Sequence, residues 1–128
     1  SDAVKVVVDC FGPTDITDIV DEIELIPDEM RPIFEGLRGE NTKENIQRLM
    51  EINPVNHIIK DKPYPPFLII QGDRDELVDY SQSELMYHRL VDAGADASMI
   101  CVEGAPHEGS FWSNELLGLI KEFLDQRL

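Results

Sequence analysis

Short apolar runs separated by polar, turn-rich stretches set the rhythm of this chain. The β-branched run Ala3-Val4-Lys5-Val6-Val7-Val8-Asp9-Cys10-Phe11 predicts a strand that stops at Gly12-Pro13. Phe67-Leu68-Ile69-Ile70, opened by Pro65-Pro66 and closed by Gly72, reads as a strand buried on both faces, the pattern of a parallel sheet. Ala97 to Val102 is a third such run. Between the last two, Ser81 to Gly94 predicts a helix: Ser81 as N-cap with Glu84 three residues on, an apolar face of Leu85, Met86, Tyr87, Leu90 and Val91, and Gly94 as terminator. Apolar residues from Phe111 to Leu124 recur at roughly helical spacing, which predicts a terminal helix over Ser110 to Leu128 packing on the sheet. Residues 14–53 carry no strand signal and contain two helical stretches, 28–37 and 42–51, the second capped by Thr42.

Strand, polar loop, helix, strand, polar loop, helix is the order of an α/β fold with a mostly parallel sheet. Right-handed crossovers bring the loops after successive strands to the same sheet edge, where open α/β sheets carry their sites. Asp75 lies in the loop after the second strand, and His107, in Glu103-Gly104-Ala105-Pro106-His107, lies in the loop after the third. An acid and a histidine so placed are what nucleophilic acyl transfer needs in support. The acid fixes the imidazole tautomer, and the imidazole accepts a hydroxyl proton.

Four stretches carry a resemblance: Phe11-Gly12-Pro13-Thr14-Asp15; Pro65 to Val78 with its Gly-Asp-Arg-Asp-Glu-Leu-Val ending; Tyr80-Ser81-Gln82-Ser83-Glu84-Leu85; and Pro106-His107. Together they resemble the C-terminal part of α/β-hydrolase esterases of the acetyl-esterase and feruloyl-esterase-like group. The resemblance implies one partial hydrolase domain over 1–128, with a helical cap-like insertion at 14–60; read from its residues alone, that insertion equally packs on the sheet, and Met30, Ile33 and Phe34 are candidates for an acyl-side wall or for core packing. It assigns Asp75 as the triad acid and His107 as the base, and makes Asp73 a neighbouring turn carboxylate. Relatives usually carry His at the position of Gln71 and Pro at that of Asp79, departures expected to bear on substrate preference. The six serines, Ser1, Ser81, Ser83, Ser98, Ser110 and Ser113, include none in the Gly-x-Ser-x-Gly turn that the group uses for its nucleophile. The expectation is therefore a C-terminal half, with serine and oxyanion hole upstream, inactive alone.

Charge narrows the partners. Eleven basic against 26 acidic residues in 128, a net charge of −15, argue against nucleic acid and anionic membranes, both of which are bound chiefly through Lys and Arg. A hydrophobic share of 42% describes a soluble globular protein, and no apolar run approaches the length of a membrane span. No signal pattern opens the chain, which for an expected C-terminal half says nothing of the parent, so localisation stays open between cytoplasmic and secreted. Cys10 and Cys101 read as buried free thiols within strands, no metal-ligand spacing is present, and no cofactor is required. His57 and His88 read as structural or surface residues, and Asp9 and Asp15 as turn or anchoring carboxylates.

The function expected is that of a serine ester hydrolase fragment acting on a short-chain or carbohydrate-linked ester, a small molecule. A prolyl-oligopeptidase-like serine peptidase is the alternative within enzymes. A hydrolase-derived interaction module without catalysis is the alternative outside them. If the piece folds alone, the unpaired edge of its first strand predicts self-association.

Overall fold

The computed structural model describes residues 3–16 and 26–128. It divides into two compact units, one holding Ile58–Leu128 with the N-terminal segment up to Pro13, the other Thr14–His57.

In the first unit, β1 (Val7–Cys10), β2 (Phe67–Gly72) and β3 (Ala97–Val102) form a sheet in the order β1-β2-β3. Both pairings are parallel, with Val7 opposite Phe67 and Phe67 opposite Ala97. The central strand explains its own composition. Leu68 and Ile70 point into a cluster with Ala105, Phe111, Leu116 and Phe123, while Ile69 packs with Met86 and Leu90 on the other face. Ile69, Ile70, Leu90 and Phe111 are fully buried, and each such side chain contributes about 1.5–3 kcal/mol through loss of apolar surface. With α1 (Arg31–Arg38) and α2 (Lys43–Glu51) in the second unit, helix α3 (Tyr80–Asp92) supplies Met86 and Leu90, and α4 (Asn114–Arg127) supplies Leu116 and Phe123.

Element ends depart from the sequence reading for identifiable reasons. β1 is shorter than the run 3–11 because its partner strand begins only after Pro66, and prolines have no N–H for a ladder; the first bond runs from Val7 N to Pro66 O at 2.9 Å. Helix α3 is capped by Asp79, not Ser81: the Asp79 carboxylate accepts from Ser81 N at 2.9 Å. That bonding holds the Asp79 carboxyl below its ordinary range. The helix closes as expected near Gly94, whose φ of 86° suits glycine, with Ala95 N bonded to Leu90 O at 2.9 Å. The terminal helix starts later than expected. Ser113 caps it by accepting from Leu116 N at 3.0 Å, so Phe111 and Trp112 precede it, Phe111 within a short 3-10 turn at Gly109–Phe111. The cysteine expectation also needs correction. Cys10 is partly buried and Cys101 exposed, because β3 pairs on one side only among the described residues.

In the second unit, α1 (Arg31–Arg38) and α2 (Lys43–Glu51) are followed by a 3-10 turn at Pro54–His57. Thr42 caps α2 by accepting from Asn45 N at 3.2 Å. Buried Asn53 ties the unit's two ends. Its Oδ1 accepts from Ile16 N at 2.9 Å, and its Nδ2 donates to Asp15 Oδ1 at 3.1 Å. Ile33 and Leu37 of α1 are exposed. Residues 17–25 of the expected insertion lie outside the described residues, as does Ser1.

Candidate active site

The site begins where β2 ends. Its last residue, Gly72, passes so close to the next loop that a Cβ there would stand 2.2 Å from the carbonyl oxygen of Ala105. The two loops are then stitched together. Arg74 N donates to Ala105 O at 3.0 Å, and Gly104 N donates to Asp73 Oδ1 at 2.6 Å. Asp73 is thus a carboxylate that holds the loop after β3. Gly104, with φ 72°, turns that loop back over the sheet edge.

Asp75 follows in the same turn. Its Oδ1 accepts from the backbone N–H groups of Leu77 and Val78, both at 2.9 Å, a local pattern that suits Asp in turns. Its Oδ2 accepts from Gln71 Nε2 at 2.8 Å and lies 2.8 Å from His107 Nδ1. The Asp75 side chain has no exposed surface, whereas that of His107 is 21% exposed. With Nδ1 donating to Asp75, Nε2 becomes the nitrogen that carries the lone pair.

His107 is also fixed from its ring side. Its imidazole lies 4.3 Å from the ring of Phe11, centroid to centroid, and Phe11 in turn contacts Phe111 at 4.9 Å. Phe11 and Glu108 adopt positive φ, 46° and 63°, conformations costly for side chains of their size. Strain of this kind persists only where the surroundings over-determine it, and here it lies on both sides of one histidine.

Other titratable groups nearby are unsuited to the chemistry. Burial, and then the neighbouring Asp9 carboxylate, push the Cys10 thiol up, so its thiolate is disfavoured and it makes a poor nucleophile. Asp9 itself is raised by burial, partly offset by the bond from Gly12 N, which is 3.0 Å long. Tyr80 is pushed up to about 12, first by burial and then by its hydrogen bond with Cys101, and stays protonated. His57 contacts the Glu51 carbonyl in the other unit, and His88 is exposed on α3 beside Tyr87. Among the described residues no cluster of three or more His, Cys, Asp or Glu is arranged to hold a metal, and no helix is long and apolar enough to cross a membrane.

The structure therefore brings Asp75 and His107 together, and adds Gln71 on the acid, Ser83, whose Oγ donates to Gln71 Oε1 at 2.7 Å, and Phe11 on the histidine ring. Gln71, a position expected to bear on substrate preference, touches the Asp75 carboxylate. The available signal was a lone polar residue inside a strand otherwise apolar on both faces.

A parallel sheet flanked by helices, with an acid after one strand bonded to a histidine after the next, belongs to the α/β-hydrolase class. The model of the BD-FAE family, a hydrolase family, matches residues 1–90, and the chain belongs to that family. That match includes Asp75 and stops before His107. Among solved structures, a bifunctional GH43-CE protein of Bacteroides eggerthii is 29% identical, with TM-score 0.69 over 98% of this chain and 17% of its own. The truncated form of a carbohydrate esterase from gut microbiota is 28% identical, with TM-score 0.64 over 97% of this chain and 43% of its own. A puromycin-hydrolyzing peptidase of Mycobacterium tuberculosis is 25% identical, with TM-score 0.66 over 84% of this chain and 16% of its own. A stretch of 74 residues is 28% identical to the non-reducing polyketide synthase Preu3 of Preussia isomera, and covers 58% of this chain and 3% of that one. The chain thus spans less than half the length of each.

Proposed function

We propose that this chain supplies the acid and base of a serine ester hydrolase, with Asp75 as acid, His107 as base, and the nucleophilic serine on a segment outside these 128 residues. The observation that carries the reading is the 2.8 Å contact between Asp75 Oδ2 and His107 Nδ1, formed by a carboxylate with no exposed surface. The serine Oγ attacks the ester carbonyl while His107 Nε2 takes its proton. The tetrahedral intermediate collapses, the alkoxide leaves with that proton, and an acyl-enzyme remains. Water then gives a proton to Nε2, attacks the acyl carbon and releases the acid, and the serine recovers its proton. Asp75 stabilises the imidazolium formed in both halves. The substrate proposed is a short-chain or carbohydrate-linked ester. The carbohydrate part is supported by likeness to a protein described as a carbohydrate esterase.

Likeness to a puromycin-hydrolyzing peptidase supports a second reading, in which the same acid and base serve an amide bond. The test joins this chain to a segment that carries a Gly-x-Ser-x-Gly turn in its native polypeptide and assays a chromogenic acetate ester beside a peptide anilide. Ester turnover that vanishes in His107→Ala is expected. Preferential anilide cleavage supports the peptidase, and a folded complete chain that turns over neither refutes both.

A further inference from the structure

Gln71 is a fully buried side chain with a partner for each of its two N–H groups and one for its amide oxygen. Nε2 faces two oxygens that can only accept, Asp75 Oδ2 at 2.8 Å and the Val78 carbonyl at 2.9 Å. Oε1 faces Ser83 Oγ at 2.7 Å, a hydroxyl able to donate. The reverse orientation of the amide sets carbonyl oxygen against carboxylate and is excluded by repulsion. Ser83 is fully buried as well, in the first turns of α3. A continuous run of polar contacts therefore links α3, through Ser83 and Gln71, to the oxygen of Asp75 that His107 uses.

The arrangement is closed as well as continuous. Val78 N donates to Asp75 Oδ1 while Val78 O accepts from Gln71, so strand end, acid and the residue just before the α3 cap form one hydrogen-bonded ring. Two backbone donors fix Oδ1, and among the contacts of Oδ2 only the Gln71 amide comes from the rigid central strand. Remove it, and the carboxylate plane can tilt while keeping its turn bonds. The His107 contact then lengthens without any change in backbone.

We propose that Gln71, oriented by Ser83, is the positioning residue of the acid and base pair: it sets the plane of the Asp75 carboxylate so that Oδ2 meets His107 Nδ1. The inference rests on the hydrolase reading for its catalytic meaning, while its geometry is testable without turnover. The probe is the proton between His107 Nδ1 and Asp75, followed by NMR in the folded 128-residue chain through its exchange with water and assigned by its absence in His107→Ala. Gln71→Met keeps similar length and bulk but has no N–H. It is expected to speed exchange of that proton about tenfold or more, which corresponds to the loss of one hydrogen bond to a charged group, while the methyl resonances of Leu68 and Leu90 stay in place. Ser83→Ala leaves Gln71 present but unoriented and is expected to give a smaller change in the same direction. In the polypeptide that carries the serine, Gln71→Met is expected to lower kcat about tenfold to a hundredfold with KM unchanged.

A folded Gln71→Met protein whose Nδ1 proton exchanges at the wild-type rate overturns the proposal, as does a wild-type chain with no such proton. Should Gln71→Met not fold, Ser83→Ala decides on the same readout: faster exchange supports the proposal and an unchanged rate overturns it. If exchange behaves as expected and the complete polypeptide hydrolyses nothing, the hydrolase reading fails and the positioning of the pair stands.

Discussion

Replacing Gly72 by alanine places a methyl group against backbone, and backbone cannot rotate away. The new Cβ stands 2.2 Å from the Ala105 oxygen and 2.7 Å from its carbon. Relief to the 3.0 Å below which real Cβ contacts essentially never fall moves one loop by about 0.8 Å. Ala105 lies two residues before His107, and its carbonyl is bonded to Arg74 N, next to Asp75. A displacement of that size along the 2.8 Å contact between His107 and Asp75 stretches it to about 3.6 Å, past any hydrogen bond. Overpacking costs about 1–3 kcal/mol and one lost hydrogen bond about 1 more, so the expected loss is about 2–4 kcal/mol. With a urea slope near 2 kcal/mol per molar, the midpoint falls by about 1–2 M. Gly118→Ala is the control, since a Cβ there meets nothing within 4 Å and lies inside α4. It is expected to gain about 0.5–1 kcal/mol, by removing the conformational freedom of glycine from the unfolded chain. A Gly72→Ala protein with the wild-type midpoint and an unchanged Nδ1 proton would refute the close-approach argument.

Two further substitutions test the charges. Asp75→Asn preserves size but offers His107 an amide in place of a carboxylate; in the complete hydrolase kcat is expected to fall about 10⁴-fold, the loss that the same change causes in a Ser-His-Asp protease, and a loss below tenfold removes Asp75 from the mechanism. Asp9 is raised above its ordinary range by burial, so the folded state binds its proton more tightly than the unfolded state does, and stability falls as pH rises from the unfolded pKa of 3.8 through the folded value. Asp9→Asn, which keeps an oxygen for Gly12 N, is therefore expected to be more stable than wild type at pH 7 and to lose that advantage below the unfolded value. Urea midpoints at the two pH values check this; a lower midpoint for Asn at pH 7 means the charge-assisted bond to Gly12 outweighs burial.

The meeting of Asp75 and His107 was legible because it follows from chain order alone. Parallel strands joined by one right-handed crossover place successive loops at the same edge, whatever the side chains do. The role of Gln71 was not legible. Its contacts depend on a carboxylate four positions on and a serine on a different element, and neither has a periodic signature. The cap of α3 was misplaced for a related reason. Asp79 and Ser81 are both good cap residues within one turn, and the choice falls to whichever backbone turns into the helix first. Cys101 was read as buried from the apolarity of its run, yet burial in a sheet depends on what lies alongside a strand as much as on what the strand contains. Phe111 and Trp112 share helical spacing with the residues that follow, so periodicity could not reveal that Ser113 interrupts them. The place of Phe11 against the His107 ring was not legible, because it rests on a backbone angle and a ring contact, and composition records neither.

The parallel sheet has one more consequence, for what the molecule tolerates. All three strands run the same way, so acid and histidine crowd one edge while the return turn through Gly94 to Asp96 reaches the opposite edge. A strand of six residues separates the two by about 20 Å. The molecule thus has a crowded rim, which holds Asp75 and His107, and a wiring rim. Gly94 is exposed, and the surface Asp96 with Arg127 lies on the wiring rim, so an insertion, tag or fused domain grafted at that turn sits a full strand length from the pair. At the crowded rim, by contrast, a single methyl group at Gly72 is already too much.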